Sequence, residues 1–332
     1  MRIFITGATG GLGRNALEHA RSIGWGATAC GRNQSILDRL GPGPSVQADL
    51  TKLSVEEASA LLQGHDAVWH CAALSSPWGR YEDFVASNIQ VSETLFEAAG
   101  RCGIPVFVHI STPALYFDFT HRYHLDESEI AARQVNHYAS TKLAAEQRLT
   151  KLAGRHPGTK LVILRPRAIF GPYDQTVLPR LLTLRNPVTG SLPLPRCGHT
   201  QLDLTYVENV VHAMKLATTV DVPSKSIYNI TNGAPCTVRT ALTKLLTREL
   251  GLPLNIKPIP YTVLAPVARL MEVAAFFTGK EPRLTAYSLG AIAYDLTLSI
   301  KAAEHGLGYS PVVGMDEAYR RTAIWLRKQR NG

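Results

Sequence analysis

A phenol and an ammonium stand four residues apart in His137-Tyr138-Ala139-Ser140-Thr141-Lys142. On a helix that spacing puts both side chains on one face. From 135 to 153 there is no Pro or Gly, Ala and Leu are frequent, and Gly154 is placed to end a helix. A free Tyr has a pKa of about 10. A neighbouring cation favours the phenolate and lowers that value, so Tyr138 is a candidate proton donor and acceptor near neutral pH. The same pair occurs on ordinary amphipathic helices. Its weight therefore rests on the elements that would position it.

The first of these is the chain's opening segment. An apolar strand at Ile3–Ile5 runs into Thr6-Gly7-Ala8-Thr9-Gly10-Gly11-Leu12-Gly13, followed by a helix through Arg21. Strand, glycine turn and helix N-terminus make an anion site, because free N–H groups face a pyrophosphate and no Cβ blocks it. Gly7, Thr9, Gly10, Gly11, Leu12 and Gly13 are thus candidate dinucleotide contacts, against the alternative of a merely structural turn. The second strand, Ala27–Cys30, leads into Gly31-Arg32-Asn33 with no acid to take ribose hydroxyls. Arg32 suits the 2′-phosphate of NADP; a solvated Arg, with NAD as cofactor, is the alternative. Asp49, with Leu50, ends a third strand, where it could accept from an adenine amino group or cap a helix. The strand Asp66–Ala73 ends in Ala72 and Ala73, small enough for a cofactor to lie across them, and His70 reads as a packed strand residue. Leu74–Tyr81, with Ser75 and Trp78, reads as a loop walling a substrate pocket. A helix carrying Asn88 follows, and the strand Val106–Ile110 delivers Ser111 and Thr112 to the same edge.

Composition bounds the class. The chain has 332 residues, 45% hydrophobic and 18% charged, which predicts a globular protein with a full core. Five scattered Cys without a Cys-x-x-Cys pair argue against a disulfide framework or a zinc site and suit a reducing cytosol. No signal peptide is visible, so a cytoplasmic location is expected, and no metal. The charge of +9 favours anionic ligands, but its Lys and Arg are scattered, so nucleic acid is not an expected partner.

The glycine turn, Ser111-Thr112 ending a strand, and Tyr138-x-x-x-Lys142 occur in the order that resembles the extended short-chain dehydrogenase/reductase superfamily, with its NAD-dependent epimerases and dehydratases. His109-Ile110-Ser111-Thr112-Pro113, Leu164-Arg165-Pro166-Arg167-Ala168-Ile169-Phe170-Gly171-Pro172 and Asp203-Leu204-Thr205-Tyr206-Val207-Glu208-Asn209 resemble its 3β-hydroxysteroid dehydrogenase-like group. Trp78-Gly79-Arg80-Tyr81 and Leu178-Pro179-Arg180-Leu181 are similar to bacterial reductases of 2-alkyl-3-oxoalkanoates. The resemblance covers roughly residues 1–250. It implies Thr112 as the catalytic hydroxyl with Ser111 beside it, Tyr138 as general acid, and Lys142 as the lysine that binds the nicotinamide ribose. It further implies Asn88, Pro166 and Ile169 on the cofactor side, and Pro113 and Tyr173, with Ser75 and Trp78, on the substrate side. Thr112 replaces the family's usual Ser and keeps the donor. Gln201-Leu202-Asp203 lacks the Arg that clamps a sugar diphosphate in nucleotide-sugar enzymes.

The fold expected is α/β: a Rossmann-type doubly wound parallel sheet with a smaller, mostly helical C-terminal substrate domain. Residues 1–170 and 202–232 would form the NADP-binding domain, and 171–201 and 233–332 the substrate domain. Lys160–Leu164 and Ser226–Ile230 read as further strands, helices are expected near 238–250 and 315–328, and the Pro-rich 171–201 reads as an irregular excursion. Tyr261–Phe277 is the most apolar stretch, interrupted by Pro266, Arg269 and Glu272. An ordinary packed helix is the first expectation for it; a lid or a peripheral membrane contact is the second. The activity expected is NADP-dependent reduction of a hydrophobic or β-keto ketone to a secondary alcohol by a homodimer. A nucleotide-sugar epimerase or dehydratase is the nearest alternative, and a non-catalytic NADP sensor the more distant one.

Overall fold

Apolar runs that are buried on both faces make parallel strands, and the central ones here read Ala-Val-Trp-His, Val-Phe-Val-His-Ile and Lys-Leu-Val-Ile-Leu-Arg-Pro. In this computed structural model, which describes residues 1–331, they lie at the centre of a seven-stranded sheet. Its strands are β1 (Arg2–Thr6), β2 (Gly26–Gly31), β3 (Ser45–Gln47), β4 (Ala67–His70), β5 (Val106–Ile110), β6 (Lys160–Pro166) and β7 (Ser226–Ile230). They run parallel in the order β7-β6-β5-β4-β1-β2-β3. Sequence order reverses between β1 and β4, and that switch point opens a crevice at the carboxyl edge.

Helices cover both faces. α1 (Gly11–Ser22) packs Ala16, Leu17 and Ala20 into one core, with Val210, Val211 and Met214 from the helix Val207–Thr219. On the other face, α2 (Val55–Leu62), α3 (Val91–Arg101) and α4 (His137–Ala153) bring in Leu62, Leu95, Phe96 and Leu149 against Phe4 and Phe107. Each such side chain, fully buried, contributes about 1.5–3 kcal/mol. α4 starts one residue before Tyr138, where the Asn136 side chain caps it, accepting from the Ala139 N–H at 2.8 Å.

Beyond the carboxyl edge lies a second layer. Four short strands, Cys236–Thr237, Gln201–Leu202, Leu296–Leu298 and Arg122–Leu125, form a sheet in that order. The C-terminal part is therefore not simply helical, and one of its strands comes from the first half of the chain. The excursion at 171–201 is also more regular than its prolines suggest. It holds a helix (Val177–Leu184) and a strand (Ser191–Leu194) paired with Asn255–Pro258, and it buries Leu178, Leu192 and Leu194.

The helix Tyr261–Thr278 is present, but the expectation of a packed core helix is corrected. Only Ala268 and Ala275 are buried, while Phe276 and Phe277 are 79% and 82% exposed. The helix packs against the helix Ala286–Ala291, with Leu264 and Met271 half-buried and Val263, Val267, Leu270 and Val273 exposed.

Candidate active site

The glycine turn is tight because three backbones meet there. Gly7 has φ 66°, and a Cβ on it would stand 2.9 Å from the Ala72 nitrogen. At Gly13 a Cβ would sit 2.2 Å from the Gly7 carbonyl, and at Gly11 2.7 Å from the Tyr173 carbonyl. Gly10 caps α1 with no side chain over the first turn, so its N–H groups face the crevice. The crevice is a cleft of about 650 Å³. Gly7, Thr9, Gly10, Gly11, Leu12 and Gly13 line it at one end, and Ala72, Ala73, Pro166 and Ile169 line its middle. Exposed Arg32 stands at its edge beside Asp49 and Leu50. Asp49 also caps the turn Leu50–Lys52, its Oδ1 accepting from Thr51 N and Oγ1 at 3.2 and 2.7 Å. An uncapped helix end, glycines that a Cβ would jam and small residues along the floor fit a dinucleotide.

A hydrogen-bond relay fixes that floor. The Ala72 N–H donates to Thr6 Oγ1 (3.1 Å), which lies 2.8 Å from His70 Nδ1; His70 Nε2 lies 3.0 Å from Ser92 Oγ, which donates to the Asn88 carbonyl. Burial, with Lys142 nearby, pushes the His70 pKa down to about 3, so the ring is neutral. Since the Ser92 proton is used on Asn88, Nε2 carries the ring hydrogen and Nδ1 accepts from Thr6. His70 is a packed strand residue, as its sequence suggests. Asn88 lies in a π-helical turn (Val85–Gln90). Its amide oxygen accepts from Leu74 N at 2.8 Å, and its nitrogen donates to the Leu74 carbonyl and Thr141 Oγ1, both at 3.1 Å. It staples the Leu74 loop to α4 and is spent on the protein.

Thr112, Ser111 and Tyr138 line the cleft together, next to its floor. Thr112 Oγ1 accepts from the Ala114 N–H at 3.2 Å, and its own hydrogen bond to Tyr138 favours the phenolate. Burial outweighs that and pushes the Tyr138 pKa up to about 12. The expected lowering by Lys142 is corrected. Lys142 is buried behind the cleft wall, its Nζ donating to the Ile110 carbonyl at 2.7 Å and lying 3.0 Å from His109 Nε2. Burial pushes Lys142 down to about 8 and His109 well below its ordinary value. The neutral His109 then accepts from the ammonium, and its Nδ1 has no partner. The Ser111 hydroxyl donates to the Glu146 carboxylate. Glu146 in turn takes Arg165 Nε and Nη2 at 2.9 and 2.5 Å, and Arg165 Nη1 reaches the Tyr116 hydroxyl at 2.6 Å.

Next to Thr112 the cleft meets a second cavity of about 240 Å³, walled by Leu178, Leu202, Leu204, Leu242 and Ile292. Thr112, Pro166, Ala168, Phe170 and Tyr287 line both spaces, and Pro113 lines the second. Ser75 lies on the cleft, as expected. Trp78 and Tyr173 line neither space. Trp78 belongs to a turn closed by Ser76, whose hydroxyl donates to the Trp78 carbonyl at 2.6 Å. Tyr173 has φ 63°, which turns its ring under the Arg14 guanidinium (3.9 Å) and against Trp325. The sequence reading missed Tyr287 and Arg167. Tyr287 lies far along the chain in no motif, and Arg167 is masked by the turn phrase that contains it.

Residues 3–231 match the NAD dependent epimerase/dehydratase family. The chain is 40% identical over 333 residues to the uncharacterized protein YbjS of Escherichia coli, covering 98% of each. It is 29% identical over 335 residues to a 2-alkyl-3-oxoalkanoate reductase of Stenotrophomonas maltophilia, covering 97% of this chain and 98% of that one. A solved structure of MoeE5 in complex with UDP-glucuronic acid and NAD matches with TM-score 0.78 at 21% identity, over 99% of this chain and 100% of that one. At that identity the likeness is one of fold.

Proposed function

We propose that this chain, which belongs to the NAD-dependent epimerase/dehydratase family, reduces a hydrophobic ketone to a secondary alcohol, with NADP as its preferred cofactor. It is an NAD(P)-dependent oxidoreductase of the extended short-chain type; the ketone and the choice of NADP are our reading. The observation that carries it is the junction at Thr112 and Tyr138. There a cleft fit for a dinucleotide opens into a cavity walled by leucines. An activated sugar would need many polar partners in that cavity, and most of its lining is apolar. The similarity to a reductase of 2-alkyl-3-oxoalkanoates points the same way.

The cofactor supplies the hydride when bound. Gly7–Gly13 and the first turn of α1 would hold its pyrophosphate, and Arg32 its 2′-phosphate. On the protein side, Tyr138 receives the ketone oxygen, and Thr112 orients the phenol. With Thr112 donating to the phenol oxygen, the Tyr138 proton is directed outward, toward that ketone oxygen. A phenol held near pKa 12 is fully protonated at neutral pH, the form that reduction needs.

The outward face of the helix Tyr261–Thr278 supports a further element of this reading, contact with a lipid surface. Val263, Val267, Leu270, Val273 and Phe277 recur at helical spacing and are all exposed, and Arg269, Lys280 and Arg283 flank them. Co-sedimentation with anionic vesicles tests it, with loss expected on Phe276→Ser/Phe277→Ser.

The activity is tested by nicotinamide absorbance with NADPH or NADH against hydrophobic ketones and nucleotide sugars. Steady NADPH loss with a ketone supports the proposal. Conversion of a nucleotide sugar without net cofactor loss would replace it with an epimerase or dehydratase.

A further inference from the structure

The leucine-walled cavity contains one cation. Arg167 lines it and is only 7% exposed. Its backbone is pinned on both sides: the N–H donates to the Ile230 carbonyl at 3.1 Å, and its carbonyl accepts from Thr205 Oγ1. The side chain therefore has a fixed origin. Its Nε is buried with no hydrogen-bond partner, and among the described residues its guanidinium makes no ion pair within 4 Å. Asp203 and Tyr287 act on it electrostatically, but Asp203 spends one oxygen on the Leu298 N–H at 2.7 Å. Contrast Arg165, two residues earlier and also buried, which donates to Glu146, Tyr116 and the Glu127 carbonyl. A buried guanidinium whose Nε lacks a hydrogen-bond partner is costly unless an anion completes it.

We infer that Arg167 is an anion subsite of the substrate cavity: it binds a carboxylate on a ketone whose hydrocarbon part lies against the leucine walls. This rests on the reading of the chain as a ketone reductase. Thr112, the hydrogen-bond partner of Tyr138, lines the same cavity, so one molecule fills it with its ketone oxygen toward Tyr138 and its carboxylate at Arg167. A planar fork suits a carboxylate because two parallel N–H donors match its two oxygens.

The test compares 3-oxodecanoate with its methyl ester, which differ in the negative charge. The full chain should favour the acid, and Arg167→Gln should cut the acid-to-ester ratio of kcat/KM on the order of 100-fold, with the loss mainly in KM. Arg167→Lys, which keeps the charge, should restore most of the ratio and guards against misfolding of the Gln variant. A ratio that Arg167→Gln leaves in place, or an ester reduced as well as the acid by the unaltered chain, overturns the inference while leaving the reductase reading intact. If neither compound is reduced, the reductase reading fails, and calorimetric binding of decanoate against decanol judges the subsite by itself. Decanoate bound equally by the unaltered chain and both variants would then remove it.

Discussion

Along the ends of β1, β2 and β4 the cleft is walled by backbone and small side chains; past Pro166 it is walled by leucines and an isoleucine from four distant segments. The first half is made by conformation. Gly7, Gly11 and Gly13 stand where a Cβ would strike another backbone, and what they leave open is a row of N–H groups. The second half is made by packing, since Leu178, Leu202, Leu242 and Ile292 meet only when the second layer folds over the sheet. Tyr138 and Thr112 sit at the seam. A cofactor shared by many enzymes is met by local, rigid geometry, and a particular substrate by long-range assembly.

Separating the halves is the strongest way to test this division. Tyr138→Phe should lower turnover by about 10⁴-fold and leave cofactor affinity, measured by nucleotide fluorescence titration, near its original value. Loss of both would mean that the phenol holds the seam together structurally. Next in size is the pin beneath that seam. Arg165→Met leaves Glu146 buried and unpaired, and should cost about 3–5 kcal/mol in urea denaturation. A cost under about 1 kcal/mol would show that the network is incidental.

The two halves were also unequally legible in the sequence. Gly7, Gly10 and Gly13, with a strand before them and a helix after, fix their own geometry, so the reading of 1–13 needed no tertiary knowledge. The strand ends at Ala72, Ser111 and Pro166 were legible too, because apolar runs end where the sheet ends. Side-chain direction was not. Tyr138 and Lys142 do share a helix face, yet Lys142 turns to His109 and Ile110, partners 32 and 33 residues away in the chain. Tyr173 leaves the pocket through a positive φ that no motif announces. Trp78 and Asn88 are held by bonds within and beneath the Leu74 loop. Arg167 looks, in sequence, like any polar turn residue beside Arg165; burial alone distinguishes it.

The position of Lys142 makes the next, smaller prediction. With no cation on the phenol, its pKa stands near 12, so the protonated form persists at every lower pH and reduction should not fall as Tyr138 titrates. The reverse reaction needs the phenolate. Its population, and so the rate of alcohol oxidation, should rise about tenfold per pH unit between roughly pH 7 and 10. An oxidation profile that levels off near neutrality would mean that Lys142 leaves His109 for the phenol in the working enzyme. The seam would then be set by the cofactor half.

The smallest effect belongs to Arg32, a charged side chain at the edge of the cofactor half. It is exposed at the cleft edge and makes no ion pair among the described residues. Water competes for it, so its contribution is modest and screened by salt. Arg32→Ser should lower kcat/KM with NADPH about tenfold, within the range of an exposed charge-assisted bond, and leave kcat/KM with NADH little changed. Raising the ionic strength should shrink the difference in the unaltered chain and not in the variant. If the NADPH-to-NADH ratio stays put, Arg32 is only solvated. Cofactor choice would then lie in the backbone and small residues around Gly31 and Asp49, so that side chains decide nothing in that half.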